Sequence, residues 1–214
     1  MGVRERRERE KVALREEILD AARDLLVKDG YEKVSMRGIA EKIEYSPTTI
    51  YLYFRDKDDL IRQVCQETFL MLIQTLKSLR LEEGDPLEGL RKAAYAYVRF
   101  GLDNPDHYRA TFLIPHCDDD HTISREEIEN GPGMQCFNSL RMGVSECIRM
   151  GYFKPVDVET TSQALWANMH GVTSLLITDK HFPWVDREQL VHFMIDTMLD
   201  GLLVKGQQVK QSGA

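Results

Sequence analysis

Side chains that could recognise a nucleic acid are concentrated in residues 46–54. Two threonines follow Ser46 and Pro47, and two tyrosines lie two and four residues after the second threonine. Small hydroxyls can approach base edges, and tyrosine hydroxyls can reach phosphate oxygens while their rings pack on the protein. These residue types therefore predict a helix that lies in the major groove of a duplex.

The surrounding residues predict two short helices that would position this segment. The first begins at Ser35, a good N-cap, and its apolar residues follow helical spacing. The second begins at Ser46 with Pro47 behind it, since proline is tolerated at a first helical position. Glu44 and Tyr45 form the turn, so the pattern is a helix-turn-helix. The alternative is a purely structural three-helix bundle whose tyrosines are half-buried packing residues.

Residues 12–60 resemble the DNA-binding domain of the tetracycline-repressor (TetR) family of bacterial regulators. The resemblance depends on a long, ordered set of residues and covers about a quarter of the chain. This sequence departs from the family at Glu44, where the family usually has a glycine suited to the left-handed conformation. The matching residues are Ile18, Ala21, Ala22, Leu25, Leu26, Gly30, Tyr31, residues 34–40, Ser46, Thr49, Ile50, Tyr51, Tyr53, Phe54, Lys57 and Leu60.

The resemblance implies a dimer in which each protomer presents its third helix to one half of a palindromic operator in double-stranded DNA. A ligand bound in the C-terminal domain would change the separation of the two DNA-binding heads. Carried over by position, the phosphate contacts are Ser35, Arg37, Tyr51, Tyr53 and Lys57, and the residues that face bases are Pro47, Thr48 and Thr49. Ser46 completes the predicted DNA-binding set, because the helix N-terminus that it caps adds partial positive charge that suits phosphate.

The charge of the chain does not itself favour DNA binding. The formal net charge is −7, and residues 1–60 hold 13 basic against 14 acidic residues. Binding must therefore depend on where the basic residues lie. Several occupy the first eleven residues, which are expected to be either a DNA-contacting arm or a solvated helix with i, i+4 pairs such as Glu5 with Arg9.

The rest of the chain also follows helical spacing, so the predicted fold is all-α with about nine helices. A three-helix helix-turn-helix head is joined by a long helix to a C-terminal helical bundle. The predicted domains are 1–56 for DNA binding and 57–214 for ligand binding and dimerisation. Beyond the head, the predicted helices cover residues 58–79, 87–102, 105–114, 124–150 with an interruption at 131–133, 157–178 and 186–204.

The last two predicted helices carry more apolar residues than one core face needs. A helix that is apolar on more than one side requires a second partner. We therefore expect a homodimer formed through these two helices, as the resemblance also implies. The alternative is a larger monomeric core.

A possible effector site lies on the same helices. Trp166, His170 and Gly171 form a W-x-x-x-H-G motif that resembles a C-terminal subgroup of TetR regulators. The i, i+4 spacing places Trp166 and His170 on one face, and Gly171 would let another helix approach closely. The full set of candidate lining residues is Tyr95, Phe100, Phe112, Met134, Phe137, Asn138, Arg141, Trp166, Met169 and His170. The same residues could be ordinary core.

Composition and motifs exclude several other classes. Apolar segments are too short for a membrane span, and the charged first ten residues do not form a secretory signal, so we expect a cytoplasmic protein. Four scattered cysteines predict buried hydrophobic side chains rather than zinc ligands. Residues 116–121 contain His, Cys and Asp but are expected to be a solvated acidic loop rather than a metal site. We expect no metal, no cofactor and no membrane contact.

The leading hypothesis is a transcriptional repressor that leaves its operator when a small, largely apolar effector of unknown identity binds. A second hypothesis is a DNA-organising or protein-recruiting protein of the same fold that has no small-molecule effector. An enzyme using His116, His121 or His170 is weakly supported, because the sequence has no recognisable nucleophile motif, phosphate loop or pair of catalytic carboxylates.

Overall fold

The computed structural model describes residues 2–79, 84–115 and 125–204, which form ten α-helices. This confirms the predicted all-α fold, and the described residues contain no strand beyond one isolated bridge between Phe153 and Leu203. The helices are α1 (Val3–Asp29), α2 (Met36–Lys42), α3 (Pro47–Tyr51), α4 (Lys57–Ser78), α5 (Pro86–Asp103), α6 (Pro105–Tyr108), α7 (Arg125–Asn130), α8 (Pro132–Arg149), α9 (Val158–Thr178) and α10 (Arg187–Leu202).

The described residues form two compact units. Those of 1–70 and 104–129 belong to the first unit, and those of 71–103 and 130–214 belong to the second. Helix α4 contributes to both. The predicted functional boundary after residue 56 falls inside the first unit and stays a prediction, since compactness alone does not assign function.

The first unit is held together by apolar side chains from α1 to α4. The residues that α1, α2 and α4 bury include pairs three or four positions apart, which is the spacing of one helix face, and α3 buries Ile50. The fully buried members include Ile18 and Leu26 of α1, Ile39 of α2 and Ile50 of α3, and α4 adds Leu60. The short helices α2 and α3 depend on this shared core, because isolated helices of their length are unstable in water.

Helix α6 is shorter than predicted. The sequence predicts one α-helix over 105–114, whereas the structure has α6 followed by a π-helical turn over Arg109–Leu113. In that turn the Ile114 N–H donates to the carbonyl of Arg109, five residues earlier. The wider turn accompanies close packing of Phe112 against Tyr108, with ring centroids 4.7 Å apart.

The second unit is a bundle of α5, α8, α9 and α10. Helices α9 and α10 are capped by the aspartates at which the sequence predicts them to begin. Asp157 accepts a hydrogen bond from the Thr160 N–H, and Asp186 accepts one from the Gln189 N–H. Their inward faces bury Leu165, Met169, Leu176, Val191, Ile195 and Leu199.

None of the described helices has the length and apolar character that crossing a membrane would require. The residues weighed as metal ligands, 116–121, lie outside the described part of the chain. Within that described part, no group of three or more His, Cys, Asp or Glu side chains could hold a metal ion.

Candidate nucleic-acid interface

Both predicted serine N-caps of the helix-turn-helix are confirmed. Ser35 Oγ accepts a hydrogen bond from the Gly38 N–H at 3.0 Å, and Ser46 Oγ accepts one from the Thr49 N–H at 3.2 Å. Each bond satisfies a donor in the first helical turn that would otherwise lack a partner. The serines therefore fix where α2 and α3 begin.

The turn between α2 and α3 contains a non-glycine residue in the left-handed region. Glu44 has a φ of 60°, and it is the one such residue in the described part of the chain. The Tyr45 N–H donates to the Ala40 carbonyl and the Glu44 N–H to the Glu41 carbonyl. This pair of bonds is a Schellman motif, which usually has glycine at the position of Glu44. The turn therefore forms as it would with glycine, at a conformational cost.

Helix α3 has one buried and one exposed side. Ile50 and Phe54 are packed into the core of the first unit, whereas Pro47, Thr48 and Tyr51 are exposed. The backbone continues to turn beyond the helix, since the Phe54 N–H donates to the Ile50 carbonyl. The predicted base-facing residues Pro47 and Thr48 are thus open to solvent.

Two of the predicted DNA contacts are less exposed to solvent. Thr49 and Tyr53 are half-buried, and the Thr49 hydroxyl lies 2.9 Å from Ser46 Oγ. The Thr49 hydroxyl therefore already has a hydrogen-bond partner within α3. Two exposed residues beside α3, Tyr45 in the turn before it and Leu52 directly after it, were not among the predicted contacts.

The predicted phosphate contact Arg37 is held by a neighbouring carboxylate. Arg37 Nε donates to Glu41 Oε1 at 3.0 Å, and both side chains are exposed on α2. An exposed pair of this kind contributes little to stability. The guanidinium is therefore accessible, but Glu41 competes with any phosphate for it.

Lys57 makes its contacts with the loop that follows α1. Its Nζ donates to the Tyr31 carbonyl at 3.3 Å and lies 3.9 Å from the centre of the Tyr31 ring. The Tyr31 hydroxyl in turn donates to Asp58. An ammonium group has three donors, so the phosphate role predicted for Lys57 is compatible with these contacts but stays a prediction.

The cap of α4 was not predicted. Asp56 Oδ1 accepts from the Asp59 N–H at 2.8 Å, and Asp59 accepts from the Arg55 N–H at 3.0 Å. The Asp59 N–H and then the Arg55 guanidinium keep the pKa of Asp56 below its usual value. An aspartate before an amphipathic run was the signal that could have identified this cap.

The basic N-terminal segment is helical from Val3 onward. Arg6 Nε lies 2.9 Å from Glu10 Oε1, an i, i+4 pair of exposed side chains. This pairing is what a solvated helix extension predicts. Contact between the arm and DNA stays an open alternative.

Three of the predicted effector-site residues lie together in the second unit. The centre of the Trp166 ring lies 6.1 Å from the ring centres of both Phe137 and His170, and its Nε1 donates to the Tyr97 hydroxyl at 3.2 Å. His170 Nε2 lies 3.2 Å from Ser174 Oγ, and burial lowers the pKa of the imidazole. The predicted shared face of Trp166 and His170 is confirmed, but an effector role is untested.

Other members of the predicted set have different neighbours. Tyr95 donates to Glu188 and stacks on His192, and Arg141 Nε lies 2.9 Å from Glu159. Phe112 belongs to the first unit, where it packs against Phe69 and Tyr108. Of the remaining four, Phe100 and Met169 are buried, Met134 is half-buried and Asn138 is exposed.

The α9 surface at Gly171 was predicted to admit another helix. A Cβ added there would meet nothing within 4 Å among the described residues of the protomer. No other helix of the described chain approaches Gly171, so the α9 surface around it is open. The close approach of another helix there stays a prediction.

Two family models match the chain. The model of bacterial regulatory proteins of the tetR family matches residues 18–64, and the tetracyclin repressor-like C-terminal domain matches residues 90–198. The chain belongs to the TetR family. This TetR-family protein is therefore a DNA-binding transcriptional regulator. It is 24% identical over 193 residues to the uncharacterised HTH-type transcriptional regulator YobS of Bacillus subtilis, covering 90% of this chain and 94% of YobS.

Solved structures of TetR-like regulators share the fold of this TetR-family protein. The fatty acid degradation regulator FadR from Bacillus halodurans aligns with a TM-score of 0.73 and 22% identity, covering 87% of this chain and 98% of that one. FadR from Bacillus subtilis, solved in complex with stearoyl-CoA, aligns with a TM-score of 0.72 and 20% identity over the same shares. At these identities the likeness shows the fold alone.

Proposed function

We propose that this protein is a repressor that binds a palindromic operator as a homodimer and leaves it when a largely apolar small molecule binds its C-terminal part. It acts in the cytoplasm, where the operator lies, and by binding rather than by catalysis. The observation that carries the proposal is the exposed surface of α3, where Pro47, Thr48 and Tyr51 are open to solvent. That surface has the size and chemistry of a helix that reads the major groove.

The proposed DNA contacts divide into two kinds. Thr48, with a small exposed hydroxyl, is placed to read base edges. Tyr51 is 56% exposed, and together with Arg37 it offers donors to phosphate oxygens. Because the head is near neutral overall, the electrostatic part of the binding must come from a few well-placed basic side chains such as Arg37.

The dimer is proposed to form through α9 and α10. Phe193 is 69% exposed and Leu175 is 50% exposed, although each lies on a helix whose opposite face is buried in the bundle. The open α9 surface at Gly171 adds room for close approach of a second backbone. Covering these residues with the same surface of a second copy gives an isologous interface.

The effector is proposed to bind near the Trp166 cluster, which comprises Tyr97, Phe137, Trp166 and His170. This cluster combines aromatic surface with a few polar groups, as ligand sites do. The W-x-x-x-H-G motif within it is the basis for placing the chain in the Trp-His-Gly subgroup. Because two regulators of similar fold are named for fatty acid metabolism, and one was solved with stearoyl-CoA, long-chain acyl-CoA is the first probe to test.

Tyr51→Ala tests the DNA-binding surface. We expect the variant to lose at least ten-fold in affinity for the operator while its helical content and melting temperature stay unchanged, because Tyr51 is exposed. Phe182→Ala, which removes another half-exposed aromatic ring from the second unit, is the matched control. Unchanged operator affinity in Tyr51→Ala would contradict the proposed surface.

Trp166→Ala and His170→Ala test the effector site. In a gel-shift titration with stearoyl-CoA, we expect both variants to bind unliganded operator normally and to need more effector for release. If wild-type protein stays on the operator with acyl-CoA and with other apolar probes, the alternative without a small-molecule effector is favoured. Loss of folding in both variants would instead assign the cluster to the core.

A further inference from the structure

Leu52 is the most exposed large apolar side chain in the described part of the chain. It is 77% exposed, more than Met142 at 73% or Phe193 at 69%. Its backbone is still helical, with φ −73° and ψ −18°, so it extends α3 by one residue. A leucine therefore projects from the end of the helix that is proposed to enter the major groove.

The position of Leu52 around the helix is opposite the core. With 3.6 residues per turn, Thr48 and Leu52 lie at about 160° and 200° from the fully buried Ile50. Tyr51 lies at about 100° on one flank. The burial pattern agrees, because Ile50 is 0% exposed and both Thr48 and Leu52 are exposed. Thr48 and Leu52 therefore form the ridge of α3 that points most directly away from the core of the first unit.

A single exposed leucine is common on protein surfaces and needs no explanation by itself. Leu52 differs because it lies one turn beyond Thr48 on the same ridge. Its side chain has no polar atom, so it cannot bind a phosphate or hydrogen-bond a base. The C5 methyl of thymine is the apolar group that base pairs present in the major groove.

We propose that Leu52 is a specificity-determining residue that contacts the C5 methyl group of a thymine in each operator half-site. This inference deepens the proposed DNA-binding function and depends on it. Thr48 and Leu52 then read neighbouring base pairs, the first with its hydroxyl and the second by apolar contact. The side chain makes the half-site prefer thymine at one position.

The test removes the methyl group from the DNA and the leucine from the protein. An operator is first selected from random duplex DNA with the wild-type protein, and each thymine is then replaced in turn by uracil, which lacks only the C5 methyl. Affinities are measured for wild type, for Leu52→Ala and for Met142→Ala, the matched control of similar exposure in the second unit. Circular dichroism and thermal melting check that all three proteins are equally folded.

We expect uracil at one thymine of each half-site to weaken wild-type and Met142→Ala binding about four-fold, the effect of one buried methyl group. Leu52→Ala should bind the thymine operator more weakly and show no further loss with uracil at that position. If Leu52→Ala keeps the full uracil effect, or weakens all sequences equally, the leucine does not read thymine. If wild type selects no sequence at all, the proposed function itself fails, and this inference fails with it.

Discussion

Arg37 and Glu41 form an exposed ion pair one turn apart on α2, with Arg37 Nε 3.0 Å from Glu41 Oε1. Arg37 is also a predicted phosphate contact. The same guanidinium therefore has an internal partner that DNA must replace or share. Acidic residues of the head, such as Glu41, should therefore affect the affinity for DNA as well as the basic residues.

Glu41→Gln should strengthen operator binding about two- to five-fold, because the guanidinium no longer has a competing carboxylate and one negative charge is removed. Stability should change by less than about 0.5 kcal/mol, as for other exposed pairs. Fluorescence anisotropy at several salt concentrations measures the effect. Glu146→Gln, which breaks the exposed Glu146–Arg149 pair on α8, is the control. Equal affinity for Glu41→Gln and wild type would remove Arg37 from the phosphate contacts.

Glu44→Gly should stabilise the first unit by about 0.5 to 1 kcal/mol. The left-handed conformation at Glu44 costs a side-chain-bearing residue about 1 kcal/mol or more. Glycine avoids this cost, but part of the gain is lost because glycine has more conformational entropy in the unfolded chain. Glu44→Ala separates strain from charge, because alanine removes the carboxylate but keeps the Cβ. Urea unfolding should therefore place Glu44→Gly above both wild type and Glu44→Ala. Equal gains for glycine and alanine would show that charge, not backbone strain, is relieved.

Arg23 and Glu67 join α1 to α4 inside the first unit. Arg23 is 8% exposed, and its Nη2 lies 3.0 Å from Glu67 Oε2 and 2.6 Å from Asp20 Oδ1. Glu67→Ala should cost about 2 kcal/mol, because a nearly buried charge loses one partner. Arg23→Met should cost less, about 1 kcal/mol, because the apolar chain fills the site and the freed carboxylates can take up water. Urea midpoints in the reverse order would contradict this account of the pair.

His107 should make stability depend on pH in the acidic range. It lies on α6 with Nδ1 3.4 Å from Thr68 Oγ1, and burial, followed by the positive charge of Arg23, lowers its pKa despite the opposing effects of Asp20 and Asp106. The unfolded chain therefore binds the proton more tightly, so stability is lost as pH falls from about 6.5 towards the folded pKa.

The comparison is between wild type, His107→Gln and His181→Gln, an exposed histidine of the second unit. Thermal melting between pH 5 and pH 7.5 should show a shallower loss at low pH for His107→Gln and an unchanged slope for His181→Gln. An identical slope for all three proteins would rule out His107 as a source of the acid sensitivity.

Local rules predicted much of the head. Ser35 and Ser46 were identified as caps because their bonds reach only three residues along the chain. Helical spacing likewise predicted the apolar face of α2, where Met36, Ile39 and Ala40 are buried. The turn at Glu44 was predicted from its neighbours, although its own residue type disfavours the conformation that it adopts.

Features that depend on distant residues were not predictable in the same way. Lys57 meets Tyr31 across 26 positions of sequence, and Trp166 meets Tyr97 across 69. The spacing of apolar and polar residues along the sequence does not indicate which distant side chains will be in contact. The π-helical turn after α6 was also missed, because residues 105–114 have ordinary helical spacing, which does not indicate that the Ile114 N–H bonds to a carbonyl five rather than four residues earlier.

The most direct test of the central claim is a hydroxyl-radical footprint of the wild-type protein on the DNA that flanks its own gene. The account predicts two protected half-sites related by two-fold symmetry, with centres separated by about one helical turn or a multiple of it. Tyr51→Ala should lose both at the same protein concentration. Protection that lacks symmetry, or protection that Tyr51→Ala leaves intact, would contradict the assignment of α3 as the helix that reads the operator.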